Sequence, residues 1–361
     1  MKNWLESTEA IGQVDDLLAS VGLGHGKRET RAGTWAGGER VKRKELPARE
    51  KGRKAAATDK AGVVRAEGWE KYAWLRHGFS RRAGGVSKIY DDGERGTLNL
   101  GFTKEDDAAN VGKNRARFLR EVAGKSAEAR LVTLRQIHSG MVRVIGAGGV
   151  EGVEVAVALE TAEGKAVLRG DGVMTDVPGV MLGVQVADCV PVLVADVRRK
   201  AVAAFHAGWR GTLARIVERG IGTMQMRYGS RPEDLVAVVG PSIGACCYGV
   251  GEEVRFEFES QFAYGAELFS EVYDSDPVRE KYPLLFMTMR APGHSNIGPQ
   301  IHLDLAEANR RQLLDAGLKA KRISVVGECT ACARVGERRK YFSHRGESGF
   351  AGRMMGMVGV I

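Results

Sequence analysis

Two apolar runs, Val190–Ala195 and Ala201–His206, flank the short polar segment Asp196-Val-Arg-Arg-Lys200. A polar break of this kind between two strand-forming runs predicts an antiparallel hairpin, and no other local feature restricts the fold as strongly. Further strand candidates are Thr133–Ile137, Val142–Ile145, Val180–Ala187, Leu235–Val239 and Arg322–Val326. Several follow one another with no helix between them, which argues against a regular βαβ winding. The pattern predicts an α+β domain with a mixed or antiparallel sheet flanked by helices. Helical periodicity is clear over Asp106–Ala123, Thr212–Tyr228 and Leu305–Ala316. The stretch Phe262–Gln300, with its Pro and Gly, reads as a loop-rich excursion.

The same runs bear on the class of protein. Asp188 and Cys189 interrupt Val180–Ala187 and Val190–Ala195, so no stretch approaches the roughly 18–20 apolar residues of a membrane span. The N-terminus, MKNWLESTEAIGQVDDLL, lacks the basic region and unbroken apolar stretch of a secretory signal. Five cysteines, two of them adjacent at Cys246 and Cys247, suit a reducing compartment, and a soluble, cytoplasmic protein is expected.

A net charge of +9 suggests a nucleic-acid partner until it is located. Between Gly26 and Ala66, 13 Lys/Arg stand against 5 Asp/Glu, whereas residues 67–361 carry only +4. The basic segment has too few aliphatic residues to offset its ordering entropy, so residues 1–66 are expected to be a mobile leader. Residues 67–361 are expected to form a single domain, for which nucleic acid is an unlikely partner. A basic arm that binds nucleic acid is the competing reading of the leader.

Chemistry concentrates around the hairpin. With the turn centred near Val197–Arg198, Cys189 and His206 are expected to face each other, with Cβ atoms about 4.5–5.5 Å apart. That spacing suits two ligands of one metal, or a thiol and its general base. His138, at the end of a strand candidate, would complete a Cys/His/His set with one position left open, as in catalytic zinc sites. After His206 comes Ala-Gly-Trp-Arg-Gly-Thr, read either as an anion-accepting helix terminus strengthened by Arg210 or as a plain Gly-rich strand-to-helix turn with Thr212 as cap.

A series of motifs in order then carries a resemblance: His77-Gly-Phe-Ser-Arg-Arg-Ala-Gly-Gly-Val-Ser87, Leu98-Asn-Leu-Gly101, Gln136-Ile-His138, Asp171-Gly-Val-Met-Thr175, Ala187-Asp-Cys-Val-Pro191, Phe205-His-Ala-Gly-Trp-Arg-Gly-Thr212, Gly240-Pro-Ser-Ile-Gly-Ala-Cys-Cys-Tyr248 and Phe342-Ser-His-Arg345. Together they resemble the laccase-domain (YfiH-like, "polyphenol oxidase") family over about residues 70–356. The resemblance implies a four-layer α-β-β-α sandwich related to the catalytic domain of cytotoxic necrotizing factor. It implies a zinc-dependent purine nucleoside phosphorylase that also deaminates adenosine and cleaves methylthioadenosine, with His138, Cys189 and His206 as zinc ligands. Purine nucleosides and phosphate are then the partners. Arg82, Asn99 and Arg210 become candidates for phosphate or ribose contacts, and Asp171 and Asp188 for carboxylates that orient a ligand imidazole. Arg81 departs from the threonine usual in the family at that position.

Three other readings compete. The hairpin also suits a metal-free Cys–His hydrolase or deamidase. A copper phenol oxidase needs clustered His-x-His ligands, and none of the seven histidines is so arranged. A cell-wall editing role is attached to some relatives of the family. Cys329-Thr-Ala-Cys332 is a CxxC, but a zinc ribbon needs a second such pair and the chain has none.

Overall fold

The computed structural model describes residues 56–58, 62–90, 96–124, 129–151, 159–272 and 300–361. Two large sheets dominate. The first runs β1 (Ala56–Thr58), β2 (Val64–Ala66), β3 (Leu75–Phe79), β19 (Met354–Val360), β9 (Val180–Val186) and β5 (Arg130–Thr133). The second runs β16 (Ile323–Val325), β12 (Leu235–Val239), β10 (Val190–Asp196), β11 (Ala201–Ala207), β8 (Gly172–Thr175), β6 (Val142–Gly146) and β7 (Gly149–Val150). Both are mixed: β5 is parallel to β9, β12 to β16 and β6 to β8, and the other pairs are antiparallel. A small sheet joins β13 (Gly249–Val250), β15 (Gln300–Leu303) and β14 (Phe269–Val272), and β17 (Arg334–Val335) pairs with β18 (Arg338–Arg339).

The core shows how these sheets stack. Leu193, Ala195, Val202 and Ala204 of the second sheet share one apolar cluster with Leu182, Val184, Val358 and Val360 of the first. Alternate residues of the same strands point the other way. Val190, Val192, Val194, Ala203 and Phe205 pack against Ile216, Val217 and Ile221 of α3 (Ile216–Tyr228) and Leu305 and Leu313 of α5 (Leu305–Asp315). On the opposite side, Met181, Met355 and Met357 meet Phe118 and Val122 of α1 (Ala108–Ala123). The order is helix, sheet, sheet, helix, the α-β-β-α sandwich that the resemblance implies. A central strand buried on both faces reads as an unbroken apolar run, which is why β9, β10 and β11 are so legible. Phe205 alone, fully buried against α3, contributes about 1.5–3 kcal/mol.

The remaining elements close the ends. The strand β4 (Ala83–Ser87) lies outside the sheets and is tied to α1 by the Val86 N–H donating to Asn114 Oδ1 at 2.9 Å. α2 (Trp209–Leu213) follows β11, and α4 (Glu252–Gln261) follows β13.

Several expectations are corrected. The helix expected over Thr212–Tyr228 begins earlier and is cut in two, because Arg215 takes a left-handed φ of 55° between α2 and α3. Thr212 is no cap: it is buried inside α2, and its hydroxyl accepts from Asn309 Nδ2 at 3.0 Å. The strand expected at Thr133–Ile137 lies instead at Arg130–Thr133, and residues 134–138 leave the ladder. The folded part also reaches upstream of residue 67. Val63, Val64 and Ala66 are buried, and β2 pairs with β1 and β3, so at least 62–66 belong to the core and not to a leader. The basic residues 26–55, and 273–299 of the expected excursion, lie outside the described residues. Among the described residues no helix is long and apolar enough to cross a membrane.

Candidate metal centre

His138, Cys189 and His206 come together although they are far apart in sequence, with their ligand atoms all within 4.8 Å of one another. The place is where the chain passes from one large sheet to the other. Cys189 sits in the link between β9 and β10, His206 near the end of β11, and His138 on the segment leaving β5. The hairpin register differs from the expectation by two residues: His206 pairs with Pro191, so Cys189 falls opposite Gly208. Cys189 and His206 are therefore diagonal neighbours on the pleated surface, still within reach of one another.

Local backbone explains each position. Residue 138 takes a left-handed φ of 58°, which turns the His138 ring back toward the sheet. That turn is held by Asp171, whose carboxylate accepts the N–H groups of His138 (3.0 Å) and Ser139 (2.6 Å) and the Ser139 hydroxyl (2.8 Å). Gln136 fastens the same segment to β9 by a reciprocal pair of hydrogen bonds with the Gln185 backbone, both 2.7 Å. Asp171 also meets His206 Nδ1 at 2.9 Å, leaving Nε2 of that ring for a ligand. Gly208 is required by close approach: a Cβ there would lie 3.0 Å from Cys189 Sγ and 3.1 Å from His138 Cδ2.

Electrostatics are set by the same contacts. Burial pushes the Cys189 thiol up, but the His206 charge and hydrogen bonds from both histidines outweigh it and bring it down to about 6. Burial pulls His206 down, while the Cys189 charge and the Asp171 hydrogen bond carry it up to about 9. For Asp171, burial is overcome by its donors, chiefly His206 and Ser139, and the carboxyl falls to about 2. Each partner favours the charged form of the other, the thiol moving down and the imidazole up. Two imidazoles and one thiolate, with His138 exposed and His206 buried, fit a borderline-soft metal with a position left open.

The other candidate residues divide. Arg210 is exposed beside Trp209, its guanidinium 4.3 Å from the indole ring centre. Arg82 is committed to the fold: it pairs with Glu347, donates to the Tyr90 carbonyl and lies 4.8 Å over Phe342. Asn99 is fully buried, and its amide is used by Gly101, Asp106 and the Arg353 N–H. These bonds tie the 99–106 loop to the segment leading into β19. Asp188, at φ 89°, makes no hydrogen bond to an imidazole among the described residues. Its carboxylate gathers Thr330 Oγ1 (2.7 Å), Ser343 Oγ (2.7 Å) and the Arg345 N–H (2.6 Å), which ties distant loops beside Cys189.

Two neighbours stand out only in the structure, although both lie within motifs read from the sequence. Arg345 lies 5.5 Å over the Tyr248 ring. Burial and then the Cys189 charge raise the Tyr248 phenol to about 12, with Arg345 and Arg210 opposing.

Comparison with known proteins places these features in context. A family model described as multi-copper polyphenol oxidoreductase laccase matches residues 76–361. Purine nucleoside phosphorylase YlmD of Geobacillus stearothermophilus is 32% identical over 298 residues, 80% of this chain and 95% of the relative. Adenosine deaminase RL5, from an unknown prokaryotic organism, is 34% identical over 216 residues, covering 60% and 69%. The crystal structure of the hypothetical protein YfiH of Bacillus licheniformis superposes with a TM-score of 0.67 at 27% identity, covering 85% of this chain and 99% of that one.

Proposed function

This chain belongs to the laccase-like, YfiH family, and from that premise we propose that it is a zinc-dependent purine nucleoside phosphorylase with adenosine deamination as a side activity. The observation that carries this reading is the convergence of His138, Cys189 and His206 on one point, with His138 open to solvent and Arg210 and Arg345 within electrostatic reach of the neighbouring Tyr248. The family description names copper, but a multicopper centre needs several clustered histidines. Among the described residues only one metal-competent group contains histidine. One thiolate and two imidazoles with an open position suit zinc.

Zinc, when bound, supplies Lewis-acid stabilisation of charge that develops in the transition state. The chain's own residues do the rest. Asp171 fixes the His206 ring and the His138 turn together, so both donors are held before substrate arrives. Arg210 and Arg345 present cationic groups to phosphate, and Tyr248, keeping its proton, serves as a donor to the nucleoside. In phosphorolysis a phosphate oxygen bonds to C1′ as the N-glycosidic bond breaks, and the base leaves with the bonding pair and takes up a proton. Positioning the two reactants accounts for much of the rate.

A second reading has an observation of its own: Cys189, His206 and Asp171 are also arranged as thiol, base and orienting carboxylate. Product analysis separates the two. The phosphorylase reading expects free base and ribose 1-phosphate from adenosine or inosine, and adenine and 5-methylthioribose 1-phosphate from methylthioadenosine, dependent on both phosphate and metal. Inosine and ammonia formed from adenosine without phosphate report the side activity. Absence of ribose 1-phosphate from the zinc-loaded protein overturns the phosphorylase, and full activity in metal-stripped protein overturns the role of zinc.

A further inference from the structure

Four of the five cysteines lie outside the centre described above, and the fold gathers them. Cys246 and Cys247 follow β12 in the loop that leads to Tyr248, whereas Cys329 and Cys332 lie in the turn that follows β16. Their four sulfurs lie within 4.8 Å of one another, and Cys246 and Cys332 approach to 3.6 Å. None of these contacts is a disulfide, whose sulfurs are bonded at about 2.05 Å. Four thiolates around one zinc at about 2.3 Å would stand about 3.8 Å apart, the spacing these sulfurs approach. The CxxC at Cys329–Cys332 thus has partners after all. They come from adjacent cysteines 86 residues away for the pair Cys246 and Cys332, and not from a second CxxC.

The surrounding backbone is built for sulfur. The Gly244 N–H donates to Cys329 Sγ at 3.3 Å. Donors of this kind satisfy lone pairs that a metal leaves free and fix the ligand's direction. The two loops are laid side by side by a bridge between Ser242 and Cys329, with the Thr330 N–H donating to the Ser242 carbonyl at 3.0 Å. A Cβ on Gly244 would come within 3.3 Å of Cys246 Sγ and 3.4 Å of Cys329 Cβ, so the loop closes tightly there.

We propose that Cys246, Cys247, Cys329 and Cys332 form a tetrathiolate zinc site, separate from His138, Cys189 and His206, that clamps the loop after β12 to the turn after β16. Four thiolates complete a tetrahedron and leave no position for substrate, so the ion is structural. Its binding releases the thiol protons to solvent. Asp188 fastens the same two loops from the other side: it accepts Thr330 Oγ1 at 2.7 Å, and its carbonyl accepts the Ile243 N–H at 2.9 Å.

The test uses the full chain purified anaerobically under thiol protection, and its readouts do not involve nucleoside turnover. Metal analysis expects two zinc ions per wild-type chain and one each in Cys189→Ala and in the double variant Cys246→Ser/Cys332→Ser. Cobalt(II) loaded into Cys189→Ala, which lacks the other centre's sulfur, is expected to give strong thiolate-to-cobalt charge transfer and tetrahedral visible bands. This measurement stands even if the double variant does not fold. One zinc per wild-type chain with four thiols open to alkylation in the native protein would overturn the site. So would cobalt-loaded Cys189→Ala without thiolate charge transfer. Iron in place of zinc would overturn the identity of the ion.

Discussion

His138, Cys189 and His206 meet where the chain crosses between two buried sheets, whereas Cys246, Cys247, Cys329 and Cys332 meet between two loops, with Cys246 and Cys332 exposed. The first group has three donors, and a side-chain carboxylate, Asp171, holds the two histidines. The second has four donors and is met by a backbone N–H, that of Gly244, at Cys329 Sγ. On the proposed roles, this contrast separates a reactive centre from a fastening. An incomplete donor set leaves room for substrate but must be held rigid from behind, while a complete set holds itself and leaves nothing to react.

The comparison breaks most visibly if either centre is emptied. Cys189→Ala is expected to lose one metal and to lower nucleoside phosphorolysis by more than the ~10–100-fold typical of losing a ligand's hydrogen-bond partner. Emptying the four-cysteine cluster instead is expected to lower the melting temperature while turnover persists below it; equal loss of turnover from both, measured at low temperature, would remove the distinction. Asp171→Asn comes next, with ~10–100-fold lower metal affinity or activity and an unchanged cobalt spectrum at the cysteine cluster. A cobalt spectrum that also changes at the cluster would mean that the two centres are coupled. Gly208→Ala keeps every ligand but places a Cβ 3.0 Å from Cys189 Sγ. It is expected to weaken metal binding less than Asp171→Asn, as read by competition with a chelator.

The smallest effect comes from a histidine outside both centres. His77 is buried, accepts the Ala66 N–H at Nε2 (2.9 Å) and packs against Trp69. Burial first, and then Arg65, lower it to about 3. Below pH 6.5 the unfolded chain takes up a proton that the native state refuses until about pH 3. Stability is therefore lost as pH falls through that window, by at most about 1.4 kcal/mol per pH unit from this group. Denaturant titrations at pH 7 and pH 5 should show a smaller drop in His77→Gln than in the wild type, and an equal drop would refute the assignment.

Much of the fold was legible because the central strands are buried on both faces, so β9, β10, β11 and β12 read as continuous apolar runs. The hairpin was legible, but its register was not. Asp196 stays in the ladder opposite Ala201, and its carboxylate takes the N–H groups of Arg198 and Arg199, both at 2.8 Å. That moves the turn's centre by one residue and every cross-strand partner by two. Arg82 and Asn99 show a different limit. Their chemistry suits a phosphate or a ribose, yet the fold spends both on its own loops, and only burial and partners reveal it.

The sequence by itself determined the α+β class, the hairpin and the residue types of the metal centre. Continuous apolar runs, short polar turns and donor chemistry are local properties of a chain. Only the tertiary structure decided which donors meet. It brought His138 to Cys189 and His206, turned Asp171 on two of them at once, and joined Cys246 and Cys247 to Cys329 and Cys332. Those encounters depend on how two sheets stack and on where loops cross between them, and neither leaves a periodic trace in the chain.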